Sequence, residues 1–73
     1  MYNEIFEKCN LTKFDEYVVE EYEEGGYEGV VEVWGDNEGI EFVVFEDGSI
    51  EEHCFRGVKT VSIEHIKWLY DVD

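Results

Sequence analysis

Three short hydrophobic runs lie in the middle of the chain and are separated by turns that contain glycine. The runs cover residues 27–34, 40–45 and 50–55, and β-branched and aromatic residues dominate the first two. The turn over residues 46–49 includes an Asp-Gly pair, which is favoured in tight hairpins. Runs spaced about ten residues apart and joined by short turns predict an antiparallel meander.

The N-terminal residues predict a short helix. Tyr2, Ile5, Phe6 and Cys9 lie at helical spacing, and Asn3 is a candidate N-cap. Because two turns of helix are marginal in water, we expect this helix to depend on packing against the sheet.

The next segment, residues 14–24, matches two patterns. Phe14, Tyr17, Val18 and Tyr22 fit one face of a helix, whereas the consecutive residues Tyr17, Val18 and Val19 favour a strand by propensity. A Gly-Gly pair follows, which is typical of a hairpin. We therefore expect a strand over residues 16–23.

The C-terminal segment also has two interpretations. Residues 58–63 predict another strand, and a last strand over residues 67–72 would close a small barrel that resembles the SH3 type. Alternatively, Ser62 caps a helix whose apolar side includes Ile66 and Leu69. The sequence thus predicts a single α+β domain, mainly antiparallel β. It is a meander of four to five strands or a small SH3-like barrel, with a short N-terminal helix and a helical turn or short helix near the C-terminus.

Acidic residues are concentrated in the middle of the chain. The chain carries 20 acidic and 5 basic residues, for a formal net charge of −15. Residues 14–55 hold 15 of the acids and no Lys or Arg, while the flanking segments carry equal numbers of acids and bases. A net charge of magnitude about 2–8 keeps a small domain soluble, and a larger charge destabilises the fold by self-repulsion. We therefore expect the excess to serve binding.

Several functional classes are disfavoured by the sequence. No apolar run reaches the roughly 18 residues that span a bilayer, and the N-terminal residues are unlike a secretory signal. We expect a cytoplasmic protein. Its anionic surface should be repelled by nucleic acid and by anionic membranes.

Metal binding and catalysis are disfavoured as well. Cys9, His53, Cys54 and His65 match no zinc-binding spacing, and no arrangement of nucleophile and base is evident. The two cysteines are expected to be free thiols. We expect no metal, no cofactor and no enzymatic activity.

The acidic block indicates a partner instead. Alternate residues of a strand lie about 6.6 Å apart, so glutamates on neighbouring strands would form an array of negative charge that suits a basic nucleic-acid-binding groove. In small size, acidity, aromatic content and lack of catalytic motifs, the chain resembles in kind the small viral inhibitors that mimic nucleic acid. These include anti-CRISPR, anti-restriction and uracil-DNA glycosylase inhibitor proteins. The resemblance implies a non-enzymatic inhibitor of a basic, nucleic-acid-binding protein, and a viral inhibitor of this kind would act in the cytoplasm of the host cell.

The predicted contacts are carboxylates that would pair with Lys and Arg of the partner, together with three aromatic anchors. They are Glu20, Glu21, Glu23, Glu24, Glu28, Glu32, Asp36, Glu38, Glu41, Glu46, Asp47, Glu51 and Glu52, with Tyr22, Tyr27 and Trp34. Two alternatives stay open. One is an acidic adaptor, or an immunity or antitoxin-like protein, that does not compete with nucleic acid. The other is a homodimer that forms through an open strand edge.

Overall fold

A computed structural model of the chain describes residues 2–73, which form three helices and five strands. In chain order these are α1 (Asn3–Lys8), β1 (Thr12–Lys13), α2 (Glu16–Glu24), β2 (Val30–Gly35), β3 (Glu41–Phe45), β4 (Ile50–Cys54), β5 (Gly57–Val61) and α3 (Ile63–Leu69). The strands form one antiparallel sheet in the order β1-β2-β3-β4-β5. The predicted α+β meander is confirmed. The sheet is not closed, so the barrel alternative is wrong.

The terminal helices α1 and α3 cover one side of the sheet, which we call the terminal-helix side. Phe6 of α1 and Ile66 of α3 are fully buried there against strand residues that include Trp34, Phe42 and Ile50. Helix formation in these short segments therefore depends on tertiary packing, as expected for fewer than three turns.

The other side of the sheet is covered by α2, and we call it the α2 side. Val18 and Tyr22 of this helix pack with Val33 and Val43, which are fully buried. The strand predicted over residues 16–23 is therefore wrong. Packing on the sheet overrides β propensity in this segment, and the Gly-Gly pair ends a helix instead of turning a hairpin.

Capping side chains set the starts of two helices. Asp15 Oδ1 accepts a hydrogen bond from the Tyr17 backbone N–H (3.0 Å) and begins α2. Ser62 Oγ accepts from the His65 N–H (3.1 Å) and begins α3, so the C-terminal helix is confirmed and the strand over residues 67–72 is wrong. The N-cap of α1 is Tyr2, one residue before the predicted Asn3.

A β-bulge in β2 changes which residues face the two sides. The pairing register with β3 shifts between Val30 and Glu32. Simple alternation would place Val31 and Val33 on the same side, but Val30 and Val33 are the two that pack under α2, while Val31 is exposed. The extra residue in the bulge is the cause of this difference.

The charged side chains of α2 oppose the formation of this helix. Five of its nine residues are glutamates, all of them exposed, and it has no basic residue in its last turn. Glu23 and Glu24 lie at the negative end of the helix dipole, where an acid is unfavourable. Glutamates three or four positions apart, such as Glu20 and Glu24, also repel one another. Apolar packing on the sheet therefore holds this helix in place.

Reversing a charge at the C-terminal end of α2 should stabilise the free protein. Lys at position 24 would favour the helix dipole and pair with Glu20 at i−4, so we expect Glu24→Lys to raise the free energy of unfolding by about 0.5–1.5 kcal/mol. Glu16→Lys is the matched control, because it changes the net charge equally but removes an acid from the favourable N-terminal turn. Thermal melting at low and high salt measures both, and equal shifts for the two variants would contradict the dipole argument.

Close packing of Phe14 against Gly35 should make that glycine irreplaceable. A Cβ added at Gly35 would lie 2.3 Å from Phe14 Cζ, so we expect Gly35→Ala to destabilise the fold by about 1–3 kcal/mol. Gly25→Ala is the control, since its φ of −81° suits any residue and its nearest contact, at 3.4 Å, is ordinary. Urea denaturation of both variants measures the difference, and two similar midpoints would show that the Phe14 ring moves aside freely.

Candidate protein-binding face

Negative charge is concentrated on the α2 side of the molecule. Residues 15–28 carry seven acids and no base, and all seven side chains are exposed. We call this surface the anionic face, and it consists of Asp15, Glu16, Glu20, Glu21, Glu23, Glu24 and Glu28. The two helices of the terminal-helix side have a smaller net negative charge, because each contains a base, Lys8 in α1 and Lys67 in α3.

A groove of about 380 Å³ lies between α2 and β3 beside this face. Phe14, Val18 and the rings of Tyr22 and Tyr27 form its apolar lining. Two carboxylates, from Glu21 on the helix and Glu41 on the strand, also line it. Apolar walls with carboxylates suit a side chain that has an aliphatic stem and a cationic head, as Arg and Lys do.

Hydrogen bonding and ring packing fix the aromatic part of the groove. The Tyr22 hydroxyl donates to Glu41 Oε1 at 2.8 Å. The Tyr22 ring packs edge-on against Tyr27 and His53, with centroid distances of 5.6 and 5.0 Å. Burial, followed by the bond to Glu41, raises the pKa of Tyr22 above its ordinary value. The phenol therefore stays protonated at neutral pH and keeps orienting the carboxylate.

A second depression, of about 370 Å³, lies at the turn between β3 and β4. Its lining includes half-buried Phe45 and four carboxylates, from Glu28, Glu46, Asp47 and Glu51. Because Glu28 belongs to both surfaces, this depression continues the anionic face. Within residues 2–73, no group of three or more His, Cys, Asp or Glu side chains is arranged to hold a metal ion.

Trp34, one of the three predicted aromatic anchors, is part of the core. Its side chain is 3% exposed and packs against Phe6 on the terminal-helix side, with a centroid distance of 5.1 Å. Its indole N–H donates to Glu32 Oε1 at 2.9 Å. The prediction of a surface anchor at this position is therefore wrong. Tyr22 and Tyr27 do lie in the groove.

Glu32 and Glu52 also lie on the terminal-helix side, away from the anionic face. Burial by itself would raise the pKa of the Glu32 carboxyl, but favourable contacts outweigh burial and hold this pKa below its ordinary value. They include the hydrogen bond from Trp34 and the charge of Lys13, whose Nζ lies 3.7 Å from Glu32 Oε2. Glu52 is 7% exposed, and its Oε1 lies 3.4 Å from His65 Nε2 without hydrogen-bonding geometry. Neither carboxylate is placed as a surface contact.

Asp36 organises the turn between β2 and β3. Its Oδ1 accepts from the backbone N–H groups of Glu38 (2.7 Å) and Ile40 (3.1 Å), and its Oδ2 accepts from the Tyr70 hydroxyl (3.1 Å). Both oxygens thus have structural partners. Glu38 is exposed at the same turn.

The predicted contacts therefore divide into two groups. One group lies away from the anionic face, on the terminal-helix side or at the turn between β2 and β3, and consists of Glu32, Trp34, Asp36, Glu38 and Glu52. The anionic face and its two depressions bring together Glu20, Glu21, Glu23, Glu24, Glu28, Glu41, Glu46, Asp47, Glu51, Tyr22 and Tyr27. Sequence reasoning missed Asp15 and Glu16, which share the same face, and His53, which supports both tyrosines. The helical spacing of Phe14, Val18 and Tyr22 was the signal that would have placed the groove.

Among residues 2–73, no helix combines the length and apolar character needed to cross a membrane. Comparison of the chain with protein-family models, with curated proteins and with solved structures finds no match.

Proposed function

We propose that this protein is a non-enzymatic inhibitor that binds the basic, nucleic-acid-binding surface of a partner protein through its anionic face. The observation that supports this most is the exposure of seven carboxylates, without one base, on residues 15–28. Solubility alone does not call for such a face in a domain of this size. A partner rich in Lys and Arg would neutralise it.

The charge density of α2 is comparable to that of nucleic acid. Nine residues of helix span about 13.5 Å, so the five glutamates of α2 place about one negative charge every 2.7 Å of axis. Duplex DNA carries one charge per about 1.7 Å of axis, and a single strand one per about 3.4 Å. A groove built to neutralise phosphates would therefore meet a similar charge density on this helix.

Binding would also relieve the electrostatic cost of the helix. Glu23 and Glu24 lie at the negative end of the α2 dipole, and the helix has no basic residue in its last turn. Cations of the partner would favour both the dipole and the glutamates. Part of the binding free energy would thus come from repulsion that already exists in the free protein.

The groove between α2 and β3 would provide specificity. An arginine of the partner could place its guanidinium between Glu21 and Glu41, where carboxylates accept strong, directional hydrogen bonds. The faces of Tyr22 and Tyr27 would contribute cation–π attraction. A partner with only diffuse positive charge would lack this contact.

Charge reversal on the anionic face tests the proposal. The partner is first identified as a protein that co-purifies at low salt and dissociates at high salt. We then expect the double variant Glu20→Lys, Glu24→Lys to weaken its binding by about 100-fold or more at 50 mM salt, because each close charge pair contributes about 1.5 kcal/mol or more. Calorimetry or surface plasmon resonance measures the affinity.

The matched control for this experiment is Glu7→Lys, Asp73→Lys. It makes the same change in net charge at exposed positions outside the anionic face, and its affinity should fall by less than about tenfold, since only long-range steering is altered. Equal losses in both double variants would contradict a localised binding face. Duplex or single-stranded nucleic acid should displace the protein from its partner. A complex that neither nucleic acid dissociates would instead support the adaptor alternative.

Removal of a groove aromatic should weaken binding without changing charge. We expect Tyr27→Ala to reduce partner affinity by at least about fivefold, because aromatic anchors in partly desolvated grooves contribute more than 1 kcal/mol. Tyr17→Ala is the control, since Tyr17 is 67% exposed on α2 and does not line the groove. Circular dichroism confirms that each variant is folded, and equal affinities would exclude the groove from the interface.

A further inference from the structure

The end of the molecule formed by β4, β5 and α3 differs in character from the anionic face. Large apolar side chains are exposed there, with Phe55 91% and Trp68 76% accessible. They border a groove of about 670 Å³ between the β4–β5 hairpin and α3. We call this region the hairpin surface, and it comprises Phe55, Arg56, Val58, Lys59, Trp68 and Leu69. An exposed apolar cluster of this kind typically marks an interaction site.

The same region contains an open sheet edge. β5 is the last strand in the sheet order, and no segment within residues 2–73 pairs with its outer edge. A two-residue loop joins Cys54 to Gly57, so these two form a hydrogen-bonded pair, and the backbone groups of Val58 and Thr60 point away from β4. Unpaired N–H and C=O groups at such an edge are a template for another strand.

We propose that β5 pairs antiparallel with β5 of a second copy of this chain, so that two sheets join into one of ten strands. This inference is independent of the proposed function. Antiparallel pairing of one strand with itself is two-fold symmetric and therefore self-complementary. The two α3 helices then approach each other across the axis on the terminal-helix side, where Trp68 and Leu69 of each copy can contact the groove of the other.

Self-association at this surface opposes no acids of the two copies, and salt screens the repulsion between their bases. Residues 53–63 contain two bases, Arg56 and Lys59, and no acid. The anionic face could not meet its own copy without opposing seven carboxylates on each side. At the hairpin surface, the strand edges of two chains of charge −15 meet without acids between them.

The anionic faces stay far apart in this dimer. From β2 of one copy to β2 of the other there are seven strand spacings of about 4.8 Å each, or about 34 Å. This distance exceeds the Debye length of about 8 Å at physiological ionic strength but is close to the roughly 30 Å at 0.01 M. Sheet twist of about 20–25° per strand also turns the two α2 sides away from each other. Salt should therefore strengthen the dimer.

The two exposed aromatic side chains supply about half of the area that each partner of a typical interface buries. Buried Phe and Trp side chains each contribute about 150–250 Å². Together with Val58, Leu69 and the strand backbone, Phe55 and Trp68 bring the buried area near the roughly 800 Å² per partner of a typical interface. The opposite edge of the sheet is β1, which has two residues. That edge offers too little backbone to extend the pairing, so association stops at two copies.

Sedimentation equilibrium of the purified chain tests the proposal. In 0.5 M salt we expect a dimer, with a dissociation constant at least about tenfold lower than in 0.01 M salt. Binding of a basic partner at the anionic face has the opposite salt dependence, so failure of one proposal is distinguishable from failure of the other. A chain that remains monomeric at several hundred micromolar in both buffers overturns the dimer.

Two variants locate the interface. Thr60→Pro removes an outward N–H of β5 and leaves the bonds to β4, whereas Trp68→Ala removes an aromatic side chain that is 76% exposed. We expect each to raise the dissociation constant by about tenfold or more. The control Tyr17→Ala, which removes an aromatic side chain of α2 that is 67% exposed, should leave it unchanged. A dimer that persists unchanged in Trp68→Ala and in folded Thr60→Pro places the contact elsewhere and overturns the proposal.

Discussion

The packing of α2 on the sheet is the interaction on which the rest of the structure depends. Val18 and Tyr22 lie against Val33 and Val43, and these two valines, which are fully buried, each contribute about 1.5–3 kcal/mol. The unfavourable charge contacts of the helix cost a few tenths of a kcal/mol to about 1 kcal/mol each. The free energy of packing therefore outweighs the repulsion, but the combined repulsion of several glutamates cancels much of it. The helix is a rigid support for charge because apolar contacts on its other side hold it there.

The sequence was sufficient for the central strands and their turns. Alternating apolar residues, an Asp-Gly pair and short spacings define β3 and β4 locally, and local signals of this kind survive folding. α2 was not predictable in the same way, because Tyr17, Val18 and Val19 favour a strand until a sheet is present to pack against. The decisive contact joins residues of α2 to residues of β2 and β3, which are distant in the sequence.

Most of the predicted carboxylate contacts are nevertheless exposed, for a physical reason. Glu20, Glu21, Glu23 and Glu24 are exposed whether their segment is a helix or a strand, since consecutive carboxylates cannot all be buried. The prediction that Trp34 and Glu52 are surface contacts was wrong, because their exposure depends on which side of the sheet each residue faces. The bulge before Trp34 and the cover that α3 provides over Glu52 are tertiary features, and no local pattern records them.

The molecule has two chemically distinct ends. Carboxylates and half-buried tyrosines lie on the α2 side, whereas exposed apolar side chains and two bases lie at the β4–β5 hairpin and α3. Rigid strands connect these ends, so a contact at one need not disturb the other.

The placement of α1 and α3 on the same side of the sheet has a consequence for the ends of the described chain. Tyr2 and Tyr70 attach both ends to strand turns, since their hydroxyls bond to the Gly48 carbonyl (2.6 Å) and to Asp36. Any polypeptide joined before α1 or after α3 would emerge on the side opposite α2. A fused domain, or a surface to which the protein is tethered, would thus leave the helix with its glutamates free in solution.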